Sequence, residues 1–224
     1  RLLPDGRLHA DVYASAYRLL DAANMLGFLF ASLLLPMFAR MLKARQEIRP
    51  LVSVSFKLIW AGSVALAATV YFARADLIEL MLPARANAYR WDTLGLLIWT
   101  FVPVGATYIF STLLTADERL MQMNRFFAAG IVVDVLLNLL LIPRYQALGS
   151  AMATLGTQAF IAAAMAFLCA CYFGFRPSAK GLAQTLGYAA FVLLSGWFVF
   201  NCPEMNWWVR TGLLLGLAFA GALI

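Results

Sequence analysis

Asp134 and Asn138 stand four residues apart in a stretch that is otherwise apolar, a spacing that places both on one face of a helix. An ionisable group held in hydrocarbon is costly and is usually kept for a purpose, so this face is expected to turn toward a protein interior or a wet cavity. Two readings of Asp134 stand. It accepts a proton, a cation or a polar substrate, or it is a protonated carboxyl bonded to a neighbouring helix. Asn138 reads first as a hydrogen-bonding link between helices. Nearer the start, Arg18, Asp21 and Asn24 follow one another at spacings of three, so Asp21 can meet either neighbour along one side of a helix. An internal Arg18 to Asp21 ion pair is one explanation; an anionic headgroup drawn by Arg18 and positioned by Asp21 is the other. Lys57, with Ser53 and Ser55 close by, either snorkels back to an interface or offers a compact positive charge to a phosphate.

The elements that must position these groups are apolar throughout. The 224 residues are 63% hydrophobic and only 12% charged, against roughly a quarter charged in soluble domains. Seven runs approach or reach the length of about 20 residues that a helix needs to cross a bilayer: 14–41, 51–73, 93–116, 126–142, 149–175, 185–200 and 209–224. The expectation is an all-α polytopic membrane protein with one transmembrane domain over 1–224. The chain opens on Arg1 without a signal-peptide pattern and its last run is still apolar at Ile224, which reads as the later part of a longer protein.

Several function classes fall away on composition. Cys169 and Cys171 lie two apart and so point to different helix faces, Cys202 stands alone, and His9 is the single histidine. A zinc site of the usual kind lacks ligands, and no cofactor is expected. The net charge of +6 resides mainly in helix connections rather than on one stripe or arm, which argues against a nucleic-acid partner. No connection offers a nucleophile with a histidine base or a glycine-rich phosphate cradle, so the chain reads as a non-enzyme.

The basic residues speak instead to topology. Arg40, Lys43, Arg45 and Arg49 form the densest cluster, and the positive-inside rule places them in the cytoplasm, with Arg119, Arg125, Arg176 and Lys180 on the same side. Arg74, Arg85, Arg90, Arg144 and Arg210 then face outward, near Trp91, Tyr145, Trp207 and Trp208. The connection 74–92 reads as a short interfacial helix around 77–82. Pro36 and Pro103 are expected to kink their helices, and Gly212 and Gly216 in a G-x-x-x-G spacing are expected to mark close helix packing.

The stretch Asn138-Leu-Leu-Leu-Ile-Pro-Arg-Tyr-Gln-Ala-Leu-Gly149-Ser-Ala-Met-Ala-Thr154 resembles the Asn, Leu-Ile-Pro, Tyr-Gly, Gly-Ala-Ala-x-Ala-Thr signature of bacterial polysaccharide flippases of the O-antigen and lipid II type, in the multidrug/oligosaccharidyl-lipid/polysaccharide exporter superfamily. Tyr13-x-x-Ala16-Tyr17-Arg18-Leu19 with Leu35-Pro36-x-x-Ala39, then Asp76-Leu-Ile-Glu-Leu-Met, then Leu114-Thr-Ala116 through Arg119 resemble further family segments in the family's order. The likeness runs from about residue 13 to 158. Gln146 stands where the family usually has glycine, Ser150 replaces an alanine, and Pro83-Ala-Arg85 replaces a glycine.

This resemblance implies the last seven helices of a fourteen-helix exporter, most of one lobe flanking a cavity that opens alternately to each side of a bacterial inner membrane. Its cargo would be a polyprenyl-pyrophosphate-linked oligosaccharide moved from the cytoplasmic to the outer leaflet. Arg18, Lys57 or Arg144 would then hold the phosphates, and Asp21 or Asp134 would couple the cycle to H+ or Na+. A multidrug/cation antiporter of the same superfamily and a membrane-embedded glycan polymerase or ligase are the alternatives.

Overall fold

The computed structural model of the protein describes residues 6–175, 179–201 and 205–222. Arg1, Arg176, Cys202 and the end of the last run therefore lie outside the described residues. The chain is all-helical among the described residues: α1 (Gly6–Lys43), α2 (Arg49–Phe72), α3 (Arg74–Met81), a 3-10 turn (Pro83–Arg85), α4 (Ala88–Ile98), α5 (Phe101–Ala116), α6 (Leu120–Phe173), α7 (Ala179–Phe200) and α8 (Trp207–Ala222). Five helical stretches are long and apolar enough to cross a membrane, α4 and α5 counting as one, and α8 is a shorter apolar helix. Helices suit such a sequence because they satisfy every interior backbone group within the segment, which hydrocarbon cannot do.

The α4–α5 column stands at the centre. Its most apolar window is 61% buried, whereas that of α6 is 6% buried. α1, α2 and α6 pack around the column, and α7 and α8 pack on α2. The core falls into two clusters along this column. One gathers Leu20, Leu94, Leu97, Ile98 and Phe101; the other gathers Phe38, Ile109, Leu113, Leu114 and Met165.

The run expected as one helix over 93–116 is interrupted at Trp99 and Thr100, just ahead of Pro103. Proline has no N–H to give to the carbonyl of Trp99. That carbonyl accepts instead from Val102 N at 3.2 Å, and Thr100 N bonds Leu97 O at 3.0 Å, so the chain takes a tighter step here. α1, by contrast, continues through Pro36 as one helix.

α6 is two antiparallel arms, 120–145 and 147–173, folded back on each other. Gln146 breaks the helix with φ 57° and ψ −123°. A Cβ added to Gly149 would come within 2.4 Å of the Leu141 carbonyl oxygen, and one added to Gly130 would meet Ile161 at 2.9 Å. Gly149 is thus where the two backbones touch, next to the turn.

The G-x-x-x-G expectation is corrected. A Cβ at Gly212 or Gly216 would meet nothing within 4 Å. α8 instead turns Leu214 and Ala218 inward, and residues two apart on a helix face nearly opposite ways. Its contact with α7 is made elsewhere, for example where Gly221 lies against the Phe191 ring.

Candidate functional site

The first arm of α6 has an exposed apolar side formed by Ile131, Val132, Val135, Leu136, Leu139 and Leu140. Asp134 and Asn138 are half-buried and turn from that side toward the second arm. There they meet the polar residues of the opposite arm. Thr157 donates from its hydroxyl to Asp134 Oδ1 at 3.1 Å. Asn138 donates from Nδ2 to Asp134 Oδ2 at 3.1 Å and to the Asp134 carbonyl at 2.9 Å. Ser150 in turn donates to Asn138 Oδ1 at 3.3 Å. The antiparallel hairpin explains this meeting, since it sets residues before and after the turn side by side.

The chain of polar contacts continues to α1. Tyr13 hydrogen-bonds through its hydroxyl to Thr154 Oγ1 at 2.9 Å, and Thr154 donates back to the Ser150 carbonyl at 2.9 Å. Tyr13 lies within electrostatic reach of both Asp134 and Asp21, and Tyr108 on α5 lies within reach of Asp21 and Tyr17. The Tyr13 and Tyr17 rings are 5.6 Å apart between centroids. Asn24, half-buried on the same helix, has a buried Oδ1 with no hydrogen-bond partner. The result is a polar seam where α1 meets the α6 hairpin, with Asp134, Asn138, three hydroxyls and the Tyr13 phenol.

The electrostatics of this seam are one-sided. Among the described residues, the ion pairs within 4.0 Å are Arg74–Asp92, Arg85–Asp11, Arg90–Asp11 and Arg119–Asp117. Neither Asp134 nor Asp21 belongs to any of them. Asp134 thus has neutral donors around it and no fixed cation, while Asn138 Oδ1 and the Ser150, Thr154 and Thr157 hydroxyls add neutral oxygens nearby. Hard monovalent and divalent cations prefer such oxygen sets. A proton can occupy the same carboxylate.

The other residues singled out in the sequence are placed less closely. Arg18 and Asp21 are both exposed on α1 without an ion pair between them within 4.0 Å. Lys57 is exposed on α2, whose main neighbours are α5, α7, α8 and α4 rather than α1 or α6. The structure does not bring Lys57 to Asp134. Arg144 is exposed beside the α6 turn, two residues ahead of Gln146.

A second polar cluster was not legible from residue type alone. Arg90, read in the sequence as an outward topology residue, is 2% exposed. Its guanidinium donates to Asp11 at 2.5 Å and to Ser15 Oγ at 3.0 Å, and its Nε is buried without a partner. Beside it, Tyr89 shares a 3.2 Å hydrogen bond with His9 Nδ1 and accepts from Ala147 N at 2.8 Å. Ala147 is the first residue after the α6 turn, so the phenol of α4 holds the start of the second arm. Asp11 and Arg90 are 79 positions apart, and no local pattern announces such a pair.

Among the described residues no three His, Cys, Asp or Glu side chains gather in a way that could hold a metal ion. No protein-family model matches the sequence, and no curated protein is significantly similar to it.

Proposed function

We propose that this protein is a bacterial inner-membrane exporter that flips a polyprenyl-pyrophosphate-linked oligosaccharide from the cytoplasmic to the outer leaflet by alternating access. In this reading the helices form most of one lobe of a fourteen-helix transporter, and the Asp134 seam takes up the H+ or Na+ that drives the cycle. The single observation that supports this best is Asp134 itself: a carboxylate on a membrane-length helix, surrounded by Thr157 and Asn138 as neutral donors and without a cationic partner. The resemblance of residues 138–154 to the flippase signature supports the glycan branch over the drug branch.

The physical task of such a protein is to remove a desolvation barrier. Pyrophosphate and sugars cannot cross hydrocarbon unaided, because each buried polar group needs a partner. Tyr17, exposed on α1, offers an aromatic face to a sugar ring. Arg18, one turn from Asp21, is the cation placed to meet a phosphate. The lipid tail stays in the bilayer.

Complementation of a flippase-deficient strain tests the reading. Asp134→Asn keeps the hydrogen-bonding shape and removes the charge, and is expected to reduce glycan export on the order of a hundredfold, the upper range for coupling between two sites. Normal export by this variant ends the coupling role of Asp134. Normal glycan export together with drug sensitivity in a strain lacking the protein points to the antiporter instead.

A further inference from the structure

The turn from α1 to α2 gathers basic side chains around a hollow. α1 ends with Arg45 in a left-handed conformation, φ 52°, closed by Gln46 N bonding the Met41 carbonyl at 2.9 Å and Arg45 N bonding the Leu42 carbonyl at 3.0 Å. This brings Arg45 and Arg49 to the rim of a hollow of about 400 Å³ whose other walls include Glu47, Phe173 and Phe175. Phe173 and Phe175 stack at 5.6 Å between centroids and 23° between planes. Arg74, Arg85, Arg90 and Arg119 each have an aspartate partner. Arg40, Lys43, Arg45 and Arg49 have no ion pair within 4.0 Å among the described residues, although Glu47 is close in sequence.

Unpaired guanidiniums beside a stacked aromatic wall, at the end of membrane-length helices, match a ligand with an anionic head and an apolar body. We propose that this hollow is a binding site for an anionic glycerophospholipid, with the phosphodiester between Arg45 and Arg49 and the first acyl carbons against Phe173 and Phe175. The charge complementarity is direct, and each basic residue near an anionic membrane surface adds to the attraction. Guanidinium forks also bind phosphate in two places at once. The positive end of the α2 dipole lies at the same point. Glu47 works against the ligand, and its presence sets the affinity below what the two arginines alone would give. Phe173, which lines the hollow, is 16 residues along the second arm of α6 from Thr157, the partner of Asp134. At 1.5 Å per residue the hollow is roughly 24 Å from Asp134, so it is separate from the proposed coupling residue.

The test is native mass spectrometry of the detergent-purified full chain titrated with dioleoylphosphatidylglycerol, dioleoylphosphatidylcholine or sodium phosphate. Phosphatidylglycerol is expected to bind on the order of tenfold more tightly than phosphatidylcholine, given two cations opposed by one carboxylate. The double variant Arg45→Gln/Arg49→Gln should lose this preference with helical circular dichroism unchanged, both positions being exposed. Glu47→Gln should strengthen phosphatidylglycerol binding several-fold, a gain that loss of folding cannot produce. Phe173→Ser should weaken it. Equal binding of the two lipids, or a preference that survives the double arginine variant, overturns the proposal. Competition by inorganic phosphate with no effect of Phe173→Ser also overturns it, in favour of a free-phosphate site.

Discussion

Two aspartates on neighbouring elements meet opposite fates. Asp11 at the start of α1 is paired with the buried Arg90 and with Arg85, whereas Asp134 in the first arm of α6 is met by Thr157 and Asn138 alone. A carboxylate with a fixed cation is neutralised and locks two helices together. A carboxylate with only neutral donors keeps its charge available for something that comes and goes. The first arrangement ties α1 to α4; the second ties the two arms of α6 to each other through neutral groups. The difference is one of partner type, since both carboxylates accept hydrogen bonds.

Five substitutions sharpen or break that contrast. The largest effect is expected from Asp134→Asn, which should abolish coupled export while thermal unfolding stays near the wild-type value; a loss of folding with it would make Asp134 a structural group like Asp11. Next is Asp11→Ala, which strands the Arg90 charge in a site only 2% exposed. It should lower the thermal midpoint more than Arg90→Met, which leaves behind a carboxylate that is 47% exposed, because removing one partner of a buried pair costs most when the buried partner remains. Equal effects of the two would mean that Arg90 is not the buried member in solution. Gly149→Ala forces the α6 arms apart at Leu141 and should cost about 1–3 kcal/mol. It should also weaken the Ser150 to Asn138 bond, seen as faster amide exchange around the turn. The smallest effects lie outside both clusters: Lys57→Gln is expected within about 0.5 kcal/mol of wild type with normal export, and reduced export would return Lys57 to the substrate path.

Gln146 illustrates how sequence and structure inform each other. The sequence around it resembles a signature that carries glycine at this position, but the reason glycine would suit it is visible only in the backbone. A φ of 57° is costly for a residue with a Cβ. Gln146→Gly should therefore raise stability by about 1 kcal/mol in thermal unfolding, and a neutral result would mean that the turn relaxes.

The long apolar runs and the Asp134 to Asn138 face were legible because they depend on local spacing, and the ends of the runs at 142 and 149 bracket the break at Gln146, although the helix continues through Pro143. Ser150, Thr154 and Thr157 carried a signal that was passed over: spacings of four and three put three hydroxyls on one face of an apolar arm. The break at Trp99 was displaced from the expected kink at Pro103 because proline disturbs the carbonyl four residues before it. Arg90 was misread because charge in a connection looks like topology until its partner is known. That partner lies 79 positions away, on a helix whose aspartate is unremarkable by itself.

The step at Trp99 and Thr100 interrupts the central column inside the first core cluster, which holds Ile98 before it and Phe101 and Val102 after it. Thr100 Oγ1 is buried there without a partner, and bending concentrates where the regular hydrogen-bond ladder is interrupted. The α4 half is fastened to α1 through Arg90 and to the second arm of α6 through Tyr89, while the α5 half packs its Ile109 and Leu113 in one cluster with Phe38 of α1 and Met165 of α6. The molecule's main pillar is therefore jointed, and α1, packed on both halves, splints the joint.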